Sequence, residues 1–138
     1  MVCYKGYGNV SVRNVAITPN GTFDEICGYA EAVATSLGEY TVHFPYSSGN
    51  YWVLDTDYDN FASVYACADD MNWGKIEQAW ILVRDPANVT SEVMIQALNA
   101  YASQNLTTTD FLPVYHEDCT YEDPNGAAPC TAGNWGNF

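Results

Sequence analysis

An all-β, antiparallel up-and-down arrangement with one C-terminal amphipathic α-helix is the fold class this sequence predicts. Three observations predict it. Apolar and polar residues alternate with period two through most of the first 85 residues, turn compositions interrupt that alternation at short intervals, and the period changes to helical spacing once, over residues 90–104.

Residues 3–17 read as a long strand containing Val10, Val12 and Val15. Pro19-Asn20-Gly21-Thr22 is a hairpin turn, because Asn and Gly tolerate positive φ, and a return strand follows over 22–33. Strands at 39–45, 50–57, 60–68 and 75–84 are separated by Ser47-Ser48-Gly49-Asn50, Tyr58-Asp59-Asn60 and the stretch from Asp69 to Gly74. The helix carries Met94, Ala97, Leu98 and Tyr101 on one stripe, with Pro86 upstream and Thr90 or Ser91 as its N-cap. A last strand, 111–116, completes a barrel over residues 1–121, and a tail rich in Gly, Pro, Asn and Ala occupies 122–138. A long meander escapes its edge-strand problem by closing on itself, and a barrel of about eight strands has room for one small ligand. The expected architecture is therefore a barrel, closed or left open with seven strands, with the helix packed outside.

At 138 residues the chain fits one domain with a real core. Seventeen Asp and Glu stand against Lys5, Arg13, Lys75 and Arg84, a formal charge of −13. Sustained phosphate contact needs many cations, so nucleic acid and anionic membranes are poor partners. No apolar run is long enough to span a bilayer, and Met1-Val2-Cys3-Tyr4-Lys5 is not a signal peptide, so a secreted chain is expected here as a mature form or a fragment. An extracellular location is expected from four glycosylation sequons, at Asn9, Asn20, Asn88 and Asn105, and from five widely spaced cysteines without C-x-x-C, which favour disulfides over zinc.

Enzyme motifs fail in turn. Asp55-Thr56-Asp57-Tyr58-Asp59 opens like an EF-hand loop, but Asn60 stands where Gly is needed and Ala66 where a bidentate Glu is needed. His43 and His116 have no G-x-S-x-G or comparable nucleophile motif beside them, and the acidic residues are scattered rather than paired. No catalytic residue, metal site or required cofactor is expected.

The segment from Tyr51 to Cys67, centred on Thr56-Asp57-Tyr58, resembles the second conserved region of lipocalins. Ala79-Trp80-Ile81-Leu82-Val83-Arg84-Asp85-Pro86 resembles the third. The chain resembles the apolipoprotein D-like and bilin-binding, pigment-carrying lipocalins over about residues 3–121. The family's first strand with its G-x-W motif is missing, because Cys3 matches the start of the second strand. That leaves a seam to be filled by residues outside this chain, a second chain, or the tail, where Gly133-Asn134-Trp135 spells G-x-W. The resemblance implies that Arg84 stacks on a Trp, with Trp135 as stand-in. It also implies a bridge from Cys3 to Cys119. The partner that the family supplies for Cys67 lies upstream of the missing strand, so Cys130 would have to serve, leaving Cys27 as a thiol packed on the sheet.

Placed in the lipocalin register, Ile26, Val42, Phe44, Tyr51, Val53, Ala62, Val64, Gln78, Trp80 and Leu82 point inward. Such a lining suits a flat hydrophobic ligand, oriented by Tyr51 and Gln78 and contacted by Trp80. The −13 charge disfavours acidic ligands, weakly because of screening. The resemblance implies a secreted, non-catalytic carrier of a bilin, carotenoid, retinoid or steroid. The alternative is a secreted structural glycoprotein that assembles into homo-oligomers or filaments by strand addition at the seam.

Overall fold

Period-two alternation becomes a strand wherever a neighbour takes up the backbone hydrogen bonds. The computed structural model of the chain describes residues 4–5, 9–18, 20–33, 37–70 and 74–116. Among the described residues seven strands precede one helix: β1 (Tyr4–Lys5), β2 (Asn9–Ile17), β3 (Phe23–Ala32), β4 (Glu39–Phe44), β5 (Ser47–Thr56), β6 (Phe61–Asp70), β7 (Gly74–Val83) and α1 (Ser91–Ser103). The strands neighbour one another in chain order. Two compact units divide the chain between Asn50 and Tyr51.

In the first unit, β2 and β3 form a nine-rung antiparallel hairpin from Asn9↔Glu31 to Ile17↔Phe23. Gly21, at φ +79°, takes the left-handed position of its turn, and the Thr18 hydroxyl accepts the Thr22 amide at 3.1 Å. β3 then pairs with β4, with Tyr29↔His43 and Ala30↔Val42 in register. The single strand expected over 3–17 is instead two. Tyr4 pairs back on Val10 and Lys5 on Asn9, so the chain reverses between them. Gly6 and Gly8 were the sequence signal for that reversal.

In the second unit, β6 and β7 pair through ten rungs from Phe61↔Val83 to Asp70↔Gly74, and a β-bulge shifts the β5·β6 register between Val53 and Asp55. The β5–β6 corner is built by one carboxylate. Asp57 Oδ1 accepts the amides of Asp59, Asn60 and Phe61 at 3.1, 2.7 and 3.0 Å, and Asp57 Oδ2 accepts the Asn60 side-chain amide at 2.7 Å. The Asn60 side chain, then the backbone amides, hold this carboxyl at a pKa of about 2. Because the folded pKa lies below the ordinary carboxylate value, the stabilisation is complete above that value and is lost as pH falls toward 2. Wild type is therefore expected to lose thermal stability between roughly pH 4 and 2 more steeply than Asp57→Ala, which differential scanning at stepped pH would read. Equal slopes would remove Asp57 from the account.

Helix α1 starts where the Thr90 side chain accepts the Val93 amide at 3.3 Å. It ends in a Schellman motif, with Asn105 at φ +56° and the Leu106 amide on the Tyr101 carbonyl at 3.0 Å. Its buried stripe is Ala97, Ala100 and Tyr101. The strand expected over 111–116 forms no ladder among the described residues. Phe111 turns its ring edge-on to Tyr101, 5.0 Å between centroids, and beyond it Leu112, Val114 and Tyr115 are exposed. Alternation without a neighbouring backbone does not make a strand. The tail over 122–138 and the seam-filling role of Trp135 lie outside the described residues.

Candidate functional site

Register decides which side chains share a face, and α1 decides which face is free. The Ser63 hydroxyl donates to the Ala97 carbonyl at 2.8 Å, so odd-numbered β6 residues face the helix. Their neighbours face away: Ala62 opposite Leu82, Val64 opposite Trp80 and Val53, and Ala66 opposite Gln78. Tyr51 joins them, its ring stacked on Trp80 at 6.4 Å and 18°. The structure thus brings together Tyr51, Val53, Ala62, Val64, Gln78, Trp80 and Leu82 on one apolar, aromatic face of the second unit.

This face has a closed floor and open walls. Val64 is 0% exposed, whereas Trp80 and Leu82 retain 39% and 48% of their surface, so both can be touched by a ligand. Burial pushes the Tyr51 phenol above its ordinary pKa, leaving it a neutral polar group beside the indole.

Ile26, Val42 and Phe44 share a face in the first unit with Gly28 and Ala30. Val42 and Ala30 are buried there, and Ile26 is more than a third exposed. A Cβ on Gly28 would stand 2.2 Å from the His43 carbonyl oxygen and 2.7 Å from the Phe44 ring, which only glycine permits. Gly28→Ala is expected to cost about 1–3 kcal/mol, as forced overpacking does, read as a lowered denaturation midpoint. An unchanged midpoint would mean that Phe44 does not lie on Gly28.

The opposite faces carry polar networks that the alternation could not specify. Glu77 Oε1 accepts from both the Tyr65 hydroxyl and Lys75 Nζ, the latter at 2.9 Å. Burial first, then the Glu77 carboxylate, push the Tyr65 phenol to about 12. Cys67 lies beside it as a thiol, so the expected Cys67–Cys130 bridge is not formed. Cys27, expected as a thiol, is instead disulfide-bonded. It lies opposite Arg13 on β2 and away from the apolar face of Ala30 and Val42, where a bridge can reach it. Its partner lies outside the described residues, as does the expected Cys3–Cys119 pair. The sequon residues Asn9, Asn20, Asn88 and Asn105 are all exposed.

Arg84 acts on the corner after β5. Its Nε and Nη2 donate to the Tyr58 carbonyl at 3.0 and 2.8 Å, and Tyr58 holds φ +65°. The two sequence motifs therefore meet at one turn. A recess of about 320 Å3 lies between this corner and α1, lined by Asp55, Thr56, Asp57, Phe61, Gln96 and Asn99. It is polar and on the helix side, so the apolar face is the better candidate for a hydrophobic molecule.

The profile of the lipocalin / cytosolic fatty-acid binding protein family matches residues 4–118. The chain is a lipocalin. Apolipoprotein D of Macaca fascicularis is 33% identical over 118 residues, covering 83% of this chain and 62% of the relative. Lazarillo protein of Schistocerca americana is 35% identical over 105 residues, covering 66% and 49%. This lipocalin thus spans about half to three-fifths of the length of these relatives. Its fold matches lobster apocrustacyanin A1 with a TM-score of 0.69 at 20% identity, over 80% of this chain and 61% of that one. H1 crustacyanin from Homarus americanus matches with a TM-score of 0.68 at 20% identity, over the same shares. The lipocalin fold expected from the sequence is the fold found.

Proposed function

We propose that this lipocalin binds and carries a flat, small hydrophobic molecule on the face built by Tyr51, Val53, Val64, Trp80 and Leu82, without catalysis. The observation that carries the reading is a coherent aromatic face whose Trp80 and Leu82 stay accessible while Val64 closes the floor. Lipocalins bind small hydrophobic ligands, and burial of apolar area at about 25 cal/mol per Å2 is the driving force such a face offers. Tyr51 and Gln78 supply orienting hydrogen bonds. Net charge −13 favours a neutral or weakly charged ligand over an acidic one, in the range of bilins, carotenoids, retinoids and steroids. We read the protein as secreted and glycosylated: all four sequons are exposed, and Cys27 is disulfide-bonded, as suits an oxidising compartment. No helix among the described residues is long and apolar enough to cross a membrane.

Titration with Nile red, a flat neutral dye, tests the reading. Saturable dye fluorescence with quenching of tryptophan emission, displaced by retinol or a steroid, is expected. Dye fluorescence that never saturates, with no tryptophan response, would contradict it.

A further inference from the structure

The helix face of β6 and β7 contains a contact that sheet geometry does not require. Tyr101 is fully buried, and its hydroxyl lies against three backbone atoms of the other side's binding rung. It accepts the Val64 amide at 2.9 Å, and the carbonyl oxygens of Trp80 and Val64 lie 2.7 and 2.9 Å away to receive its proton. Val64 and Trp80 are ladder partners, so a side chain from α1 bonds the backbone of both strands at the rung that bears the floor and the wall of the candidate face. The ring cannot drift. Phe111 packs edge-on against it, and one turn back the Ala97 carbonyl is pinned by Ser63.

We infer that Tyr101 is a positioning residue for ligand binding, its hydroxyl setting the spacing of the Val64–Trp80 rung and with it the place of the Trp80 indole. The inference rests on the proposed ligand-binding face, and it adds a residue on the far side of the sheet that no ligand touches. A hydroxyl bonded to the backbone of both strands ties them together at that rung. When the hydroxyl is removed the tie is lost, and Trp80 shifts relative to Tyr51.

The test compares Tyr101→Phe with Thr90→Ala in the full chain. The second variant removes the N-cap of α1, whose side chain accepts the Val93 amide, without touching the rung. In Tyr101→Phe the Trp80 indole N–H resonance, assigned through Trp80→Phe, is expected to move, and the Kd for Nile red to rise about three- to tenfold. In Thr90→Ala the resonance and the Kd are expected to stay as in wild type while the melting temperature falls. A Trp80 resonance unmoved in Tyr101→Phe overturns the inference, as does an equal shift in both variants, which would mark helix loosening rather than positioning. The resonance is read without ligand. A wild type that fails to bind Nile red therefore strikes the proposed function, while the resonance still decides what Tyr101 does.

Discussion

Trp80→Ala is expected to weaken Nile red binding by about ten- to thirtyfold without unfolding the sheet. The indole is the largest accessible apolar group on the candidate face, stacked on Tyr51 and flanked along β7 by Gln78 and Leu82. A flat ligand that covers about 60–80 Å2 of it gains on the order of 1.5–2 kcal/mol at about 25 cal/mol per Å2. Because Trp80 remains 39% exposed, its loss leaves an enlarged opening rather than a sealed cavity, and the melting temperature should fall little. Titration of both proteins with the dye, beside their melting curves, reads both halves. Equal affinities would place the ligand elsewhere.

The largest effect on stability is expected from Tyr101→Ala. Unlike the hydroxyl deletion, this change removes a fully buried ring, its edge contact with Phe111 and the main anchor of α1 on β6. Deletions of buried aromatics cost about 3–5 kcal/mol, which corresponds to roughly 10 °C or more of melting temperature in a domain of this size. Chemical denaturation would show a lower midpoint, and hydrogen exchange should quicken first in α1. A loss under about 1 kcal/mol would mean that the helix is held by contacts other than this ring.

The apolar face was legible because period two is a local property. Once the lipocalin register says which of the two faces is meant, Tyr51, Val53, Ala62, Val64, Trp80 and Leu82 fall together, and the strand pairing puts them on one face. The helix was legible for a similar reason, from one stripe and one N-cap. What escaped depends on partners distant in sequence. Residues 111–116 alternate like a strand, yet Phe111 is drawn onto Tyr101 and the residues after it have no ladder among the described segments. Cys27 and Cys67 were assigned through the family's pairing, and neither followed it, since a bridge answers to which sulfurs meet rather than to which strand carries them. Tyr101 read as one more apolar stripe residue. That its hydroxyl lands on the Val64–Trp80 rung is set by how α1 docks, which no spacing within the helix encodes. Arg84 was expected on a tryptophan, and the side-chain bonds it makes among the described residues are to the Tyr58 carbonyl, so the two motifs of this chain meet at one turn.

Whether this lipocalin carries a small hydrophobic molecule is decided by native mass spectrometry of the full chain from its own source. An adduct of some hundreds of daltons that departs on denaturation and that Nile red displaces is expected. A bare mass, with no dye binding afterwards and a ladder of chain multiples, would contradict it and point instead to assembly by strand addition.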